Sequence, residues 1–159
     1  MLNITKNKSP ANFIKGKITE LIFDEMFIQE GKVTVIPFGY ENTVPEIAQY
    51  SRLAKYKSVL DTIRTAPDFA LVSNDKTGVY LVEVKYKTKH TDKDILEIAK
   101  KIKEKWGVVH LFLATPNGFY FDSCNEIINN NGLISLLTNK WISEKNRIEY
   151  HELLMKFIK

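Results

Sequence analysis

The chain has 159 residues, 44% hydrophobic and 26% charged, which is typical of one soluble globular domain. No run approaches the roughly 18 apolar residues that a membrane-spanning helix needs, and the N-terminal residues lack the apolar core of a secretory signal. A single cysteine, Cys124, excludes an internal disulfide framework and a cysteine-rich zinc site. We therefore expect one cytoplasmic domain over residues 1–159 with no membrane partner, and the net charge of +4 favours a polyanionic partner.

The first predicted element is a helix from Phe13 to Gln29, which follows a loose polar arm over residues 1–11. Gly31 stands where this helix should end. We expect the apolar side of its helical projection to consist of Ile14, Ile18, Leu21, Ile22 and Glu25. A second side is rich in charge and consists of Lys17, Glu20 and Asp24.

A strand and a second helix are expected next. Lys32–Tyr40 is rich in β-forming residues, and Pro37 and Gly39 indicate a sheet edge, a bend or the end of the strand. The run Thr43-Val44-Pro45-Glu46 combines capping-box spacing with an early proline, which predicts a helix through Arg64. Its basic residues, Arg52 and Lys55 among them, suit a solvated face or, in the functional alternative, a bound nucleic-acid backbone.

The central stretch of the sequence predicts a β-hairpin. Phe69–Val72 and Val79–Tyr86 are β-branched and aromatic runs separated by a cluster of turn-forming residues, so they should be neighbouring antiparallel strands. Side chains alternate along a strand, which places Glu83 and Lys85 on the face of Leu81 and gives the other face to Val82, Val84 and Tyr86.

Three of these residues suggest a cation site. Asp68, at the start of the first hairpin strand, should lie near Glu83 of the second. Two carboxylates beside the ammonium of Lys85 suit a hard divalent cation, which takes oxygen ligands. The lysine is then left to orient or to deprotonate a water molecule.

At these positions the chain resembles the PD-(D/E)XK nuclease superfamily, whose signature stands here as Pro67-Asp68 and Glu83-Val84-Lys85. The resemblance implies that Asp68, Glu83 and the Val84 carbonyl bind Mg²⁺, with Mn²⁺ as a substitute. It also implies that Lys85 positions the attacking water and steadies developing charge. Gly16-Lys17-Ile18-Thr19-Glu20 is similar to the superfamily's first core helix, which makes Glu20 the expected further acid of the site, with Asp24 as the alternative.

The region that follows the hairpin is basic. Residues 85–105 contain eight lysines and four acids. Thr91 should cap a helix that presents Ile95, Ile98, Ala99, Ile102 and Trp106 along one stripe. Lys87 and Lys89 continue the face of Lys85 if the strand persists, where they would meet an approaching phosphate.

The remaining elements complete the predicted sheet and its cover. Val108–Ala114 is expected to be a strand buried on both faces and parallel to the second hairpin strand, and Phe119–Asp122 is a short final strand. Ser123 and Glu126 have capping-box spacing for another helix. The tail has a helical pattern at two places, over Leu133–Leu137 and then at Ile148, Leu153, Leu154, Phe157 and Ile158.

The expected fold class is therefore α/β. We predict the restriction-endonuclease-like αβββαβ core over about residues 13–122, with a mixed central sheet, one helical insert and a C-terminal helical part over about residues 123–159.

The expected function is that of a Mg²⁺-dependent endonuclease acting on double-stranded DNA, and a homodimer stays open. A non-catalytic nucleic-acid-binding or protein-interaction module on the same fold is the main alternative. Hydrolysis of a small phosphate ester is disfavoured because no glycine-rich phosphate loop is present. The three histidines lack ligand spacing, and we expect His110 and Cys124 to be core residues.

Overall fold

The computed structural model of the protein describes residues 9–39 and 65–158. Within them no helix is both long enough and apolar enough to cross a bilayer. The helix expected between Thr43 and Arg64, with Arg52 and Lys55, lies outside the described residues. The elements in chain order are α1 (Pro10–Glu30), β1 (Val33–Pro37), β2 (Phe69–Ser73), β3 (Val79–Tyr86), α2 (Asp92–Trp106), β4 (Val109–Thr115), β5 (Gly118–Ser123), α3 (Cys124–Asn129) and α4 (Glu144–Ile158).

The strands form one open, mixed sheet in the order β1-β2-β3-β4-β5, so the fold is α/β. β3 and β4 are parallel and are joined through α2, whereas every other neighbouring pair is antiparallel. The predicted hairpin and the predicted helical crossover are both confirmed. β1 is an edge strand, as Pro37 suggested, because a proline has no N–H to donate to a neighbour.

Helix α1 begins earlier than predicted. It starts at Pro10, because the side chain of Ser9 accepts a hydrogen bond from the Asn12 N–H at 3.3 Å and proline suits the first helical turn. The loose arm expected over residues 1–11 is therefore wrong for its last two residues. Gly31 ends the helix as predicted, with a φ of 73° and its N–H bonded to the Phe27 carbonyl.

The predicted apolar side of α1 is confirmed for Ile22, which is buried, and for Ile18, which packs against the core. It is wrong for Ile14, Leu21 and Glu25, which are exposed. The buried side is centred on Phe23, whose ring lies 4.9 Å from the rings of both Phe69 and Phe112. Because α1 has large apolar residues around most of its circumference, the sequence period alone did not define one face. The side chains that are buried are Thr19, Ile22, Phe23, Met26 and Phe27.

Strand β4 lies between two hydrophobic cores, as expected for a strand buried on both faces. Phe112 and Ala114 belong to the core under α1. Val109, Leu111 and Leu113 belong to a second core under α2 and α3. The predicted stripe of α2 is confirmed, since Ile95 and Ala99 are fully buried and its other members pack against the second core.

The C-terminal part differs from the prediction at two places. Leu133–Leu137 is extended and not helical: the Phe121 N–H donates to the Ser135 carbonyl and the Leu137 N–H to the Phe119 carbonyl, so the segment lies along β5. Within α4, the buried residues are Leu154 and Ile158. The other predicted members of its apolar side are exposed, namely Ile148, Leu153 and Phe157.

Candidate active site

The hairpin brings Asp68 and Glu83 together. Phe69 pairs with Val82 across the antiparallel strands, so the preceding residue, Asp68, lies beside Glu83. Asp68 Oδ2 accepts a hydrogen bond of 2.8 Å from the Val84 N–H. The juxtaposition predicted from the sequence therefore exists in the structure.

The main chain of Asp68 is held as well. Its carbonyl accepts hydrogen bonds from the N–H groups of Phe38 and Gly39, at 2.9 and 3.1 Å. Phe38 and Gly39 directly follow edge strand β1, so these hydrogen bonds connect the end of β1 to the start of β2. Asp68 is thus fixed by main-chain contacts on both sides.

Lys85 completes the group on β3. Its Nζ lies 3.0 Å from Glu83 Oε1, and the side chains of Lys85 and Glu83 are 32% and 16% exposed. The two residues share one face of the strand, as the alternation predicted. Partial burial makes this ion pair stronger than one at an open surface.

These residues line an open cavity of ≈ 500 Å³ between α1 and the end of β3. The first half of α1 contributes one wall, and the chain leaving β3 contributes the opposite wall. The cavity is large enough for a cation with its water ligands and for part of a substrate. Its lining consists of Asn12, Lys15, Gly16, Glu20, Asp68, Glu83, Val84, Lys85, Tyr86, Lys87, Thr88 and Ile98.

Burial and the adjacent charge of Glu83 raise the pKa of Asp68 from its usual 3.8 to about 7. The Val84 N–H, Lys85 and Lys17 act in the opposite direction but do not outweigh these effects. A carboxyl group with such a pKa is only partly ionised at neutral pH when no cation is bound. A divalent cation would favour the ionised form of both carboxylates.

Burial by itself would lower the pKa of Lys85, but the charge and hydrogen bond of Glu83 outweigh it, and the pKa is raised. Asp68 and Glu20 add to this effect. Lys85 is therefore an ammonium ion at neutral pH. Of the two roles left open by the sequence, orienting a water molecule fits this charge state better than deprotonating one.

Between the two acids considered on α1, the structure brings Glu20 to the cavity. Glu20 lines it and lies 3.3 Å from Lys17 Nζ. Asp24, one turn further on, is not among the described residues of the lining, and burial together with the charge of Glu25 raises its pKa.

The donor set at this site is small. Within residues 9–39 and 65–158, no group of three or more histidine, cysteine, aspartate or glutamate side chains is placed to hold a metal ion. The adjacent carboxylates of Asp68 and Glu83 nevertheless fit Mg²⁺, which binds through one or two carboxylates and keeps several of its waters. The open cavity beside them has room for those waters.

The two lysines expected beyond Lys85 occupy different positions. β3 ends at Tyr86, so Lys87 and Lys89 do not continue the strand as the prediction required. The Lys87 N–H donates to the Ala114 carbonyl at 3.0 Å, and Lys87 lines the cavity. Lys89 is exposed beyond it.

Sequence reasoning missed part of the α1 wall. Asn12, Gly16 and Glu20 are spaced by four residues and form one stripe along the cavity, and Lys15 lies beside them. A Cβ added at Gly16 would meet nothing within 4 Å. The four-residue spacing that ends at Glu20 is the signal that could have identified this wall.

His110 and Cys124 are core residues, as expected. The ring of His110 packs on Tyr80 and Phe121, and burial lowers its pKa. Burial and the charge of Glu83 raise the pKa of the Cys124 thiol to about 12, which makes it a poor nucleophile.

No protein-family model matches the sequence, and no curated protein matches it. Function must therefore be inferred from the cavity and from two short motifs, Pro67-Asp68 and Glu83-Val84-Lys85. Both motifs contribute residues to the same cavity wall.

Because the pKa of Asp68 is raised in the folded state, the free energy of unfolding of the metal-free protein should depend on pH. The folded state holds the Asp68 proton more tightly than the unfolded chain does. The resulting loss of stability is therefore absent below about pH 4 and grows until about pH 7. In chelator at pH 8, Asp68→Asn should raise the free energy of unfolding by about 1–3 kcal/mol. At pH 4 it should change little. Urea unfolding at both values measures the difference.

Asp75→Asn is the control. Hydrogen bonds from Thr77 and Ser73 lower the pKa of this exposed carboxyl to about 2, so in the folded protein it is ionised at both pH 4 and pH 8. Its replacement should therefore have nearly the same effect on stability at the two values. An Asp68→Asn protein less stable than the parent at pH 8 in chelator would contradict the prediction.

Proposed function

We propose that this chain is a Mg²⁺-dependent endonuclease that hydrolyses phosphodiester bonds in double-stranded DNA. The observation that supports it most is the convergence of Asp68, Glu83 and Lys85 in one open cavity, which Glu20 also lines. Two carboxylates can hold a divalent cation and an ammonium can orient a water molecule, which suits metal-assisted hydrolysis of a phosphodiester.

The order of elements supports a restriction-endonuclease-like core. α1, β1, β2, β3, α2 and β4 follow one another as αβββαβ, and the parallel pair β3 and β4 is joined through α2. The motif residues stand at the start of β2 and near the end of β3, where the sheet borders the cavity.

In the proposed site Asp68 and Glu83 hold the cation, with the Val84 carbonyl as a further oxygen donor and Glu20 as a partner for bound water. A Mg²⁺ ion held by these residues would supply polarisation of the phosphodiester and a nucleophilic water near neutral pH. Asp68 is kept in position for this role by the hydrogen bond that its carboxylate accepts from the Val84 N–H. Its carbonyl is held by the hydrogen bonds from the Phe38 and Gly39 N–H groups.

Lys85 acts as a donor in this proposal. Its ammonium orients the attacking water and steadies the negative charge that develops on the phosphoryl oxygens. Hydrolysis forms a bond from the water oxygen to phosphorus and breaks the bond from phosphorus to the leaving sugar oxygen. The attacking water gives up a proton to the solvent, and the leaving oxygen takes up a proton from it.

Positive charge on two sides of the cavity favours a polyanionic substrate. Lys15 on α1 and Lys87 after β3 both line it. The net charge of +4 acts in the same direction. Such lysines contact phosphates irrespective of base sequence and position the duplex over the carboxylates.

Lys85→Met is the variant that separates a nuclease from a binding module. It removes the ammonium and keeps most of the apolar stem, so fold and DNA affinity should persist while the rate of cleavage under Mg²⁺ falls about 10²- to 10⁴-fold. Cleavage and binding of one duplex should be measured side by side. Lys156→Met, an exposed lysine of α4, is the matched control and should cleave like the parent.

Equal cleavage by the parent and Lys85→Met would remove Lys85 from the mechanism. A folded parent that binds Mg²⁺ and DNA but cleaves none of a panel of plasmid, junction, flap and single-stranded substrates would favour the non-catalytic binding module.

Substitutions at Gly16 test whether the substrate is a polymer. Alanine is favoured over glycine inside a helix by about 0.5–1 kcal/mol, and nothing in the described structure would clash with its Cβ. Gly16→Ala should therefore stabilise the protein slightly. A bulkier Gly16→Val should narrow the α1 wall against a duplex and slow DNA cleavage by about tenfold or more.

Hydrolysis of a small chromogenic phosphodiester serves as the reference reaction for Gly16→Val, because such a substrate does not need to lie along α1. Gln29→Val, at an exposed position of the same helix away from the cavity, is the control variant. Equal slowing of both substrates by Gly16→Val would show that the substitution impairs the site itself, and it would contradict a duplex that lies along α1.

A further inference from the structure

The outward side of α1 is apolar. Ile14, Leu21 and Ile28 are 56%, 59% and 54% exposed. They are seven residues apart, and because a helix turns by about 100° per residue they fall on one line, nearly opposite the buried residues. We call these three residues the α1 ridge.

Single exposed leucines are ordinary, but a straight line of three large apolar side chains on one helix is not. A surface helix normally has polar residues on the side opposite its core. A seam between two helices has apolar side chains at two positions of a seven-residue repeat; the α1 ridge supplies one of them, and Lys17 and Asp24 stand at the other. The α1 ridge therefore suits a narrow helix-packing contact that is flanked by charges.

The ridge is symmetric about Leu21, since Ile14 and Ile28 are each seven residues from it. If α1 packs antiparallel on α1 of a second copy, Leu21 faces Leu21 and each Ile14 faces Ile28. This contact is isologous and closes after two copies, as a two-fold dimer requires.

The charges beside the ridge favour the same arrangement. Lys17 and Asp24 flank it on one side, seven residues apart, and Glu25 flanks it on the other. In an antiparallel pair equivalent flanks meet, so Lys17 of each copy lies beside Asp24 of the other. A parallel pair would bring unlike flanks together and place Asp24 beside Glu25 of the second copy, which is repulsive.

Lys17 already lies 3.3 Å from Glu20 of its own chain. Asp24 is near the like charge of Glu25, which together with burial raises its pKa. A lysine from a second copy would relieve that repulsion.

We propose that two copies of this chain associate through the α1 ridge, with the two helices antiparallel and Leu21 at the two-fold axis. The cavity stripe of Asn12, Gly16 and Glu20 is turned by about 140° from the ridge, so both cavities stay open. Helix α4 packs beside α1, and its Leu153 and Phe157 are also exposed. This proposal does not depend on the proposed nuclease activity.

Leu21→Glu is the first test. It places two carboxylates at the axis, so a parent that sediments as a dimer should become a monomer, with unchanged circular dichroism because Leu21 is exposed in the single chain. Leu133→Glu, at another exposed leucine, is the control and should remain dimeric. Sedimentation velocity at several concentrations measures both.

Charge exchange tests the orientation. Asp24→Lys should weaken the dimer, and adding Lys17→Glu should restore it, because the pair is then reversed and not lost. Under mild oxidation, Leu21→Cys should cross-link to itself across the axis. Ile14→Cys should not, whereas a parallel pair would cross-link at both positions. The native Cys124 is buried and does not interfere.

A parent that stays monomeric at every soluble concentration, or a dimer that persists in Leu21→Glu, would overturn the proposal. Unfolding of Leu21→Glu would also overturn it, because it would show that the ridge is covered within the same chain.

Discussion

The site depends on holding two carboxylates together in a partly buried place. Asp68 and Glu83 lie side by side, and burial together with the charge of Glu83 raises the pKa of Asp68 to about 7. Such an arrangement is unfavourable unless the surrounding structure enforces it. Here the Val84 N–H holds the Asp68 carboxylate, and two N–H groups after β1 hold its carbonyl.

The surrounding strands and helix explain how the repulsion between the two partly buried carboxylates is tolerated. β3 contributes Glu83 and Lys85 and lies between β2 and the deeply buried β4. Phe69, directly after Asp68, packs on Phe23 of α1, the helix that also brings Glu20 to the cavity. The same aromatic core thus positions α1 and the start of β2. Glu20 lies within a helix and Glu83 within a strand, and Asp68 directly precedes a strand.

Local patterns predicted the hairpin, the crossover through α2 and the pairing of Asp68 with Glu83, because strand alternation and turn residues act over a few positions. They failed for α1 and the tail, where the choice of face is a tertiary effect. Ile14 and Leu21 are as apolar as the buried Phe23, and only packing against the sheet selects between them. Leu133–Leu137 has helical spacing but pairs with β5 through main-chain hydrogen bonds that no periodicity reveals.

Cation binding by the carboxylate pair is the central claim, and calorimetric titration of the metal-free protein with Mn²⁺ at pH 8 tests it most directly. We expect one saturable site per chain that is lost in Asp68→Asn and in Glu83→Gln and kept in Asp122→Asn, a carboxylate outside the cavity. Absence of binding by the folded parent, or binding that is unchanged when both Asp68 and Glu83 are replaced, would contradict the account.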